Sequence, residues 1–365
     1  MNFEKIIAEA RLTGNLDLSF KMLTDLPPLP ENLTSFSCSG NKLKKLPLLP
    51  PNLTIFKCNG NELEDFPNLP KNLIEFDCSH NQIIKLPLLP ETLEKFSCNG
   101  NKIITLPSNL PPNLIEFKCS NNKIITLPHN LPSNLIEFDC SNNQIAILPI
   151  LPKTLTKLVC SMNKINILPS LPENLISFNC SDNNIKLLYL VPETVKYLSC
   201  YNNKLRKLPT LPKNLKTLYI LNNRITELPL LPETLEALNC DGNKLSILPL
   251  LPKTIKDLSW KYNPFTKEFC TIAFEYKLSY GYTSSNYVKH IINNIKKYHE
   301  DKENIRNILA LQHTFGKGNT ILNDDCVNII GSYFTRQKGC LNMIINDIKL
   351  KSELKYKDEV KQEDY

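Results

Sequence analysis

Proline is absent from the last hundred residues. All 27 prolines lie between Pro27 and Pro264, so the chain changes character near that point. Long apolar runs are absent too: no stretch approaches the ~20 residues needed to span a bilayer. The opening MNFEKIIAEARLTG carries acidic residues and no apolar core of signal-peptide length. Asn32-Leu-Thr and Asn52-Leu-Thr match the glycosylation sequon, but without an export signal they read as a repeated spelling. A soluble, intracellular, cytoplasmic chain is expected, with no membrane partner. No arginine cluster or basic stripe accompanies the net charge of +7, which argues against a nucleic-acid partner.

Catalytic and metal signatures are missing as well. There is no Cys-x-x-Cys pair, no phosphate loop, no Ser/His/Asp constellation and no pair of catalytic carboxylates. His290, His299 and His313 lack metal-ligand spacing. No cofactor, metal or catalytic residue is expected, and the chain is read as no enzyme.

What is present is repetition. A block of about twenty residues recurs eleven times between Leu26 and Ile247, first as LPPLP-ENLTSFSCSGNKLKK and then as LPLLP-PNLTIFKCNGNELED. Later copies begin at 66, 86, 106, 127, 148, 168, 188, 208 and 228; a twelfth begins at 248 and breaks down at Asn263-Pro264-Phe265. Self-similarity of this period predicts a solenoid in which each unit packs on its neighbours.

Each unit reads Leu-x-x-Phe/Leu-x-Cys-x-x-Asn-x-Ile/Leu, as in Leu33, Phe36, Cys38, Asn41 and Leu43. Alternation points Phe36 and Cys38 inward from one short strand, and stacking the units makes a parallel sheet. The asparagine (Asn41, Asn61, Asn81 and on to Asn243) occupies the following turn, where a short amide can bond backbone groups of its own and the next unit. Proline in the Leu-Pro-x-Leu-Pro return excludes a useful helix and predicts extended backbone.

Ten of the 13 cysteines share one repeat position: Cys38, Cys58, Cys78, Cys98, Cys119, Cys140, Cys160, Cys180, Cys200 and Cys240. Leu18, Ile220 and Trp260 fill the same place in other units, so the position is apolar and the thiols are packing groups. Polar substitution at Phe96 or Cys98 should therefore damage folding and not specificity.

The repeat resembles leucine-rich repeats of the short LPX type, over about residues 16 to 265. That type is known from secreted effectors of enteric bacteria, and giant DNA viruses of amoebae carry similar lysine-, asparagine- and isoleucine-rich versions. The segment IIAEARLTGNLDLSFKMLTDLP resembles the N-terminal cap of such arrays, with a helix over 2–12. The resemblance implies an α/β solenoid with short parallel strands, Pro-rich returns and protein recognition as its activity. A viral or effector origin would place that activity in host cytoplasm, on a host protein.

The expected organisation is a cap and partial repeat over 1–25, the array over 26–265, a helical C-terminal domain over 266–350 and a charged tail over 351–365. Amphipathic stretches are expected at about 268–278, 284–299, 301–314 and 321–335, with a lysine-rich helix from about 340. Val288, Ile291, Ile292 and Ile295 recur at helical spacing. Bacterial LPX effectors often carry a ubiquitin ligase with a Cys-x-Asp nucleophile; Cys270-Thr-Ile, Cys326-Val-Asn and Cys340-Leu-Asn do not fit it. The segment from Leu322 to Phe334 faintly resembles the start of an F-box, which sets an alternative: a substrate adaptor recruiting a ubiquitin ligase through its C-terminal part.

Two positions per strand face outward. Over the N-terminal half they form a chequerboard of Glu, Asp and Lys, which predicts a solvated face with cross-strand pairing. Around the ninth and tenth repeats the pattern changes. Tyr197, Tyr201, Tyr219 and Leu221 stand where other units carry Ser, Asn or charge, Tyr189 replaces the first proline of its unit, and Ile220 replaces the cysteine. Clustered tyrosines on an exposed sheet suit a partner-binding surface, and Met162 and Val159 would extend it.

Overall fold

The computed structural model describes residues 3–266, Phe269 and residues 285–315. Thirteen three-residue strands make one parallel sheet, paired in strict chain order. They run from β1 (Asn15–Asp17) and β2 (Ser35–Ser37) through β7 (Glu137–Asp139), β8 (Lys157–Val159), β9 (Ser177–Asn179), β10 (Tyr197–Ser199), β11 (Thr217–Tyr219) and β12 (Ala237–Asn239) to β13 (Asp257–Ser259). The register is constant: each Phe or Leu at the strand centre lies beside its equivalent, as Phe36 beside Phe56 and Leu198 beside Leu218. The fold is the expected solenoid.

Each unit buries the same set. Leu33, Phe36, Cys38 and Leu43 are fully buried, as are their counterparts along the stack. Six consecutive phenylalanines, Phe36 to Phe138, form one column with ring centroids 5.6 Å apart and planes within 13° of parallel. Beyond Phe138 the column continues mostly as leucine, with Leu158, Leu198, Leu218, Leu238 and Leu258 around Phe178. The ten repeat cysteines are buried free thiols. Burial pushes Cys38 and Cys200 up to about 12, and it raises the others as well.

The asparagine column binds the units together. Asn143 donates from Nδ2 to the carbonyls of Cys119 and Cys140, at 3.0 and 3.1 Å, and its Oδ1 accepts from Ile124 N at 2.9 Å. Equivalent bonds recur down the stack, so one side chain satisfies backbone groups of two turns that water cannot reach. The column outlasts the sequence pattern. Asn263 still bonds Cys240 O and Trp260 O and accepts from Leu245 N, so the last unit departs from the repeat only after that residue.

The returns between strands are extended, with isolated bridges such as Thr105 to Thr126 and Ile147 to Ile167. Each turn after a strand needs a left-handed residue. Gly40 has φ +64°, a conformation glycine adopts without strain, and the exposed ring of Phe20 lies where a Cβ would point. Asn121, Asn142, Asp182, Asn202 and Asn222 tolerate the same conformation.

At the N-terminal end α1 (Phe3–Thr13) covers β1, burying Ala10 and packing Ile6 and Ile7. Gly14, at φ +73°, ends the helix and donates to Ala10 O at 2.9 Å. At the other end a single helix, α2 (Ser285–Phe315), replaces the two stretches expected at 284–299 and 301–314. The junction His299-Glu300-Asp301-Lys302 contains neither glycine nor proline, so nothing breaks the helix there. Val288, Ile291, Ile292, Ile295 and Tyr298 are its buried face, and His299 Nε2 donates to Leu248 O at 2.8 Å. The stretches at 268–278 and 321–335, the helix from 340, the F-box-like segment, the charged tail and Cys270, Cys326 and Cys340 lie outside the described residues, apart from Phe269. Among the described helices none is long and apolar enough to cross a membrane.

Candidate functional site

The exposed face of the sheet is built from the two outward residues of each strand and the residue after the buried cysteine. Its N-terminal half is occupied by paired charge. Lys57 reaches Glu75 at 2.8 Å, Lys157 reaches Glu137 at 3.4 Å, and Lys118 bonds Glu116. Register places Glu116 directly beside Glu137, a like-charged contact that the neighbouring lysines offset. Asp77 and Asp139 turn back to accept from the backbone N–H of Ser79 and Ser141. These groups are largely satisfied by one another, and exposed pairs of this kind are worth only about 0.2–1 kcal/mol each.

The surface changes at β10. Tyr197 and Tyr219 meet edge to face, with centroids 6.0 Å apart and planes at 90°. Tyr201, two positions past the strand, faces Asp182 and Ser181. Burial, and then the Asp182 carboxylate, hold the Tyr201 phenol above its ordinary value; burial and Asp257 do the same for Tyr219. The consequence shows at Ser199. An outward residue that is half-buried in most units is here 0 % exposed, and its hydroxyl is 2.8 Å from that of Ser181. Tyr197 shares its strand, Tyr201 follows two residues later and Tyr219 lies beside it in register on the next strand, so the three tyrosines surround it. The tyrosines themselves and Leu221 are half-buried. Together they form a largely aromatic layer, joined at the Tyr197–Tyr219 ring contact.

The other residues singled out in the sequence lie apart from that layer. Val159 is half-buried on β8, two strands from Tyr197, with Ser177 and Asn179 of β9 between them. Met162 is 53 % exposed and sits in the left-handed region at φ 54°, where neighbouring units use Asn121, Asn142 and Asp182. A methionine there carries conformational strain of about 1–2 kcal/mol. Tyr189 is 72 % exposed on the return side and does not join the layer.

One feature is invisible in the strand pattern. The residue preceding each strand opens a groove of about 740 Å³ along the sheet's leading edge, floored by Ile115, Ile136 and Ile176 and rimmed by Asn113, Asn134 and Thr154. The recurrent spelling Asn-Leu-Ile at 113–115, 134–136 and 174–176 is its sequence signal. Among the described residues no group of His, Cys, Asp and Glu could hold a metal ion.

Comparison with known proteins agrees with this geometry. The solved structure of YopM from Yersinia enterocolitica is 31 % identical, with 71 % of this chain and 67 % of that one covered at a TM-score of 0.51. YopM from Yersinia pestis, described as a leucine-rich effector protein, is 30 % identical, with 72 % and 87 % covered at a TM-score of 0.61. This chain is a leucine-rich-repeat protein. The functional domain of InlJ from Listeria monocytogenes, described as including a cysteine ladder, is similar at 25 % identity, with 71 % of this leucine-rich-repeat protein and 65 % of that chain covered at a TM-score of 0.62. No family model and no curated protein matches the sequence.

Proposed function

We propose that this leucine-rich-repeat protein is a non-catalytic recognition module that binds another protein through the C-terminal third of its sheet face. The observation that carries the reading is the aromatic layer of Tyr197, Tyr201 and Tyr219, set in a face that is elsewhere mostly polar and internally paired. Tyrosine offers large contact area at small entropic cost, and layers of this kind dominate binding energy where they occur at protein interfaces. The ten buried thiols, raised by desolvation, are unsuited to nucleophilic chemistry, which needs the thiolate.

The kinship with bacterial effectors supports a host protein as the partner and host cytoplasm as the place of action. The Leu-Pro-x-Leu-Pro returns support grouping the chain with the short LPX type. An adaptor role through residues 322–334 would add a second attachment without displacing this one.

The test is capture of proteins from host lysate on the full chain and on its Tyr197→Ser/Tyr219→Ser double variant. Both residues sit on the face and not in the core, so the variant should keep its thermal midpoint while losing its captured proteins. Retention of every captured protein by a folded double variant would refute the reading.

A further inference from the structure

The charge around the tyrosines differs from that of the whole chain. On the outward strand positions and the residue after each cysteine, no lysine or arginine occurs between Lys157 and Lys261. The charged residues there are Asp241 and Asp257, with Asp182 on the adjoining turn. Asp241 is engaged by Ser259 Oγ at 2.8 Å and by Lys261 N, and Asp182 accepts from Asn202 at 2.6 Å. Asp257 is different. It is exposed on β13, two strands from Tyr219 but near enough for its charge to raise that phenol, and its carboxylate makes no hydrogen bond or ion pair among the described residues. Lys216 and Lys256, on the leading edge, are held by Glu236 at 3.4 and 2.7 Å; Lys196 precedes Tyr197 in the chain, on the opposite side by strand alternation.

Two tyrosine rings at right angles, with an unpaired carboxylate two strands from the second, offer a site that a long cationic side chain can span. Ring faces attract ammonium and guanidinium groups within about 6 Å of the centroid. A guanidinium can in addition stack flat on one ring while its N–H groups reach a carboxylate. The net charge of +7 does not oppose this at contact range, because the Debye length in physiological salt is only about 8 Å. An acidic partner would instead bring its charge against Asp257, Asp241 and Asp182.

Building on the proposed recognition role, we propose that the tyrosine layer binds a basic protein segment, seating an arginine side chain against Tyr197 and Tyr219 with Asp257 as its counter-ion. The segment carries its own charge into a part of the face that supplies only negative partners. The paired N-terminal half offers it no such vacancy.

The experiment is selection of a displayed random short-peptide library on three full-length proteins: the wild type, Tyr197→Ser/Tyr219→Ser and Asp257→Asn. Peptides rich in arginine are expected on the wild type and lost on the double variant. A representative arginine peptide should bind Asp257→Asn about two- to tenfold more weakly. Tyrosine-dependent selection of neutral or acidic peptides would overturn the cationic occupant while leaving the recognition surface standing. Basic peptides that bind the folded double variant unchanged, or no tyrosine-dependent selection at all, would overturn both.

Discussion

On the strands of this solenoid, aromatic residues point inward in the first half and outward in the last third. From Phe36 to Phe138 the rings stack in the core, and the face above them is paired charge. From Leu198 onward the core column is leucine, and tyrosine appears on the face. The two regions share a backbone, a register and an asparagine column. The difference therefore lies in what each does with large side chains. A ring in the core contributes burial and stacking, about 0.5–1.5 kcal/mol per stacked pair beyond area. A ring on the face contributes little to folding, since it keeps part of its surface in water, and is left for a partner.

The comparison can be strained most by alkali. The cysteine column is unbroken from Cys38 to Cys200 and is interrupted by Ile220 in the tyrosine region. An unfolded thiol releases its proton near pH 9, whereas burial holds Cys38 and Cys200 protonated up to about 12. Above pH 9 the unfolded chain thus binds fewer protons than the folded one, and stability falls as pH rises, by up to about 1.4 kcal/mol per thiol per pH unit. Hydrogen exchange at pH 10 should show the N-terminal half opening before the repeats around Ile220, as a nearest-neighbour array permits. Uniform opening, or none, would contradict the column's role.

A smaller effect is expected from one ring. Phe96→Ala removes the side chain between Phe76 and Phe117 and should cost about 3–5 kcal/mol in chemical denaturation, with the tyrosine face still competent in the folded fraction. Smallest is a gain. Met162→Asn suits the left-handed turn and extends the contacts of Asn142 and Asp182, so it should stabilise by about 1 kcal/mol. A calorimetric midpoint that falls instead would show that Met162 is held by packing the turn conformation does not reveal.

Most of this architecture is legible in the sequence because the period is fixed. Once Phe36 and Cys38 are read as inward, every strand, its facing residues and the asparagine turn follow by counting twenty or twenty-one residues. What counting cannot reach is the effect of one side chain on another. Ser199 reads as an exposed outward serine, yet three neighbouring tyrosines bury it completely. The same limit hid the leading-edge groove, since Ile115, Ile136 and Ile176 precede the strands and fall outside the two-residue alternation. Likewise Val159 and Met162 resemble Tyr197 in character but stand two strands away, and sequence position alone does not measure that gap. At α2 the two stretches read at 284–299 and 301–314 form one helix, since their junction holds neither glycine nor proline.

The most direct test of the account places a photo-cross-linking residue at Asn239 or at Ser97, equivalent outward positions in the two regions, and compares adducts with bound protein. Adducts are expected from position 239 and none from position 97. Adducts from position 97 alone, or equally from both, would contradict it, because recognition would then lie on the paired-charge half or on the whole face.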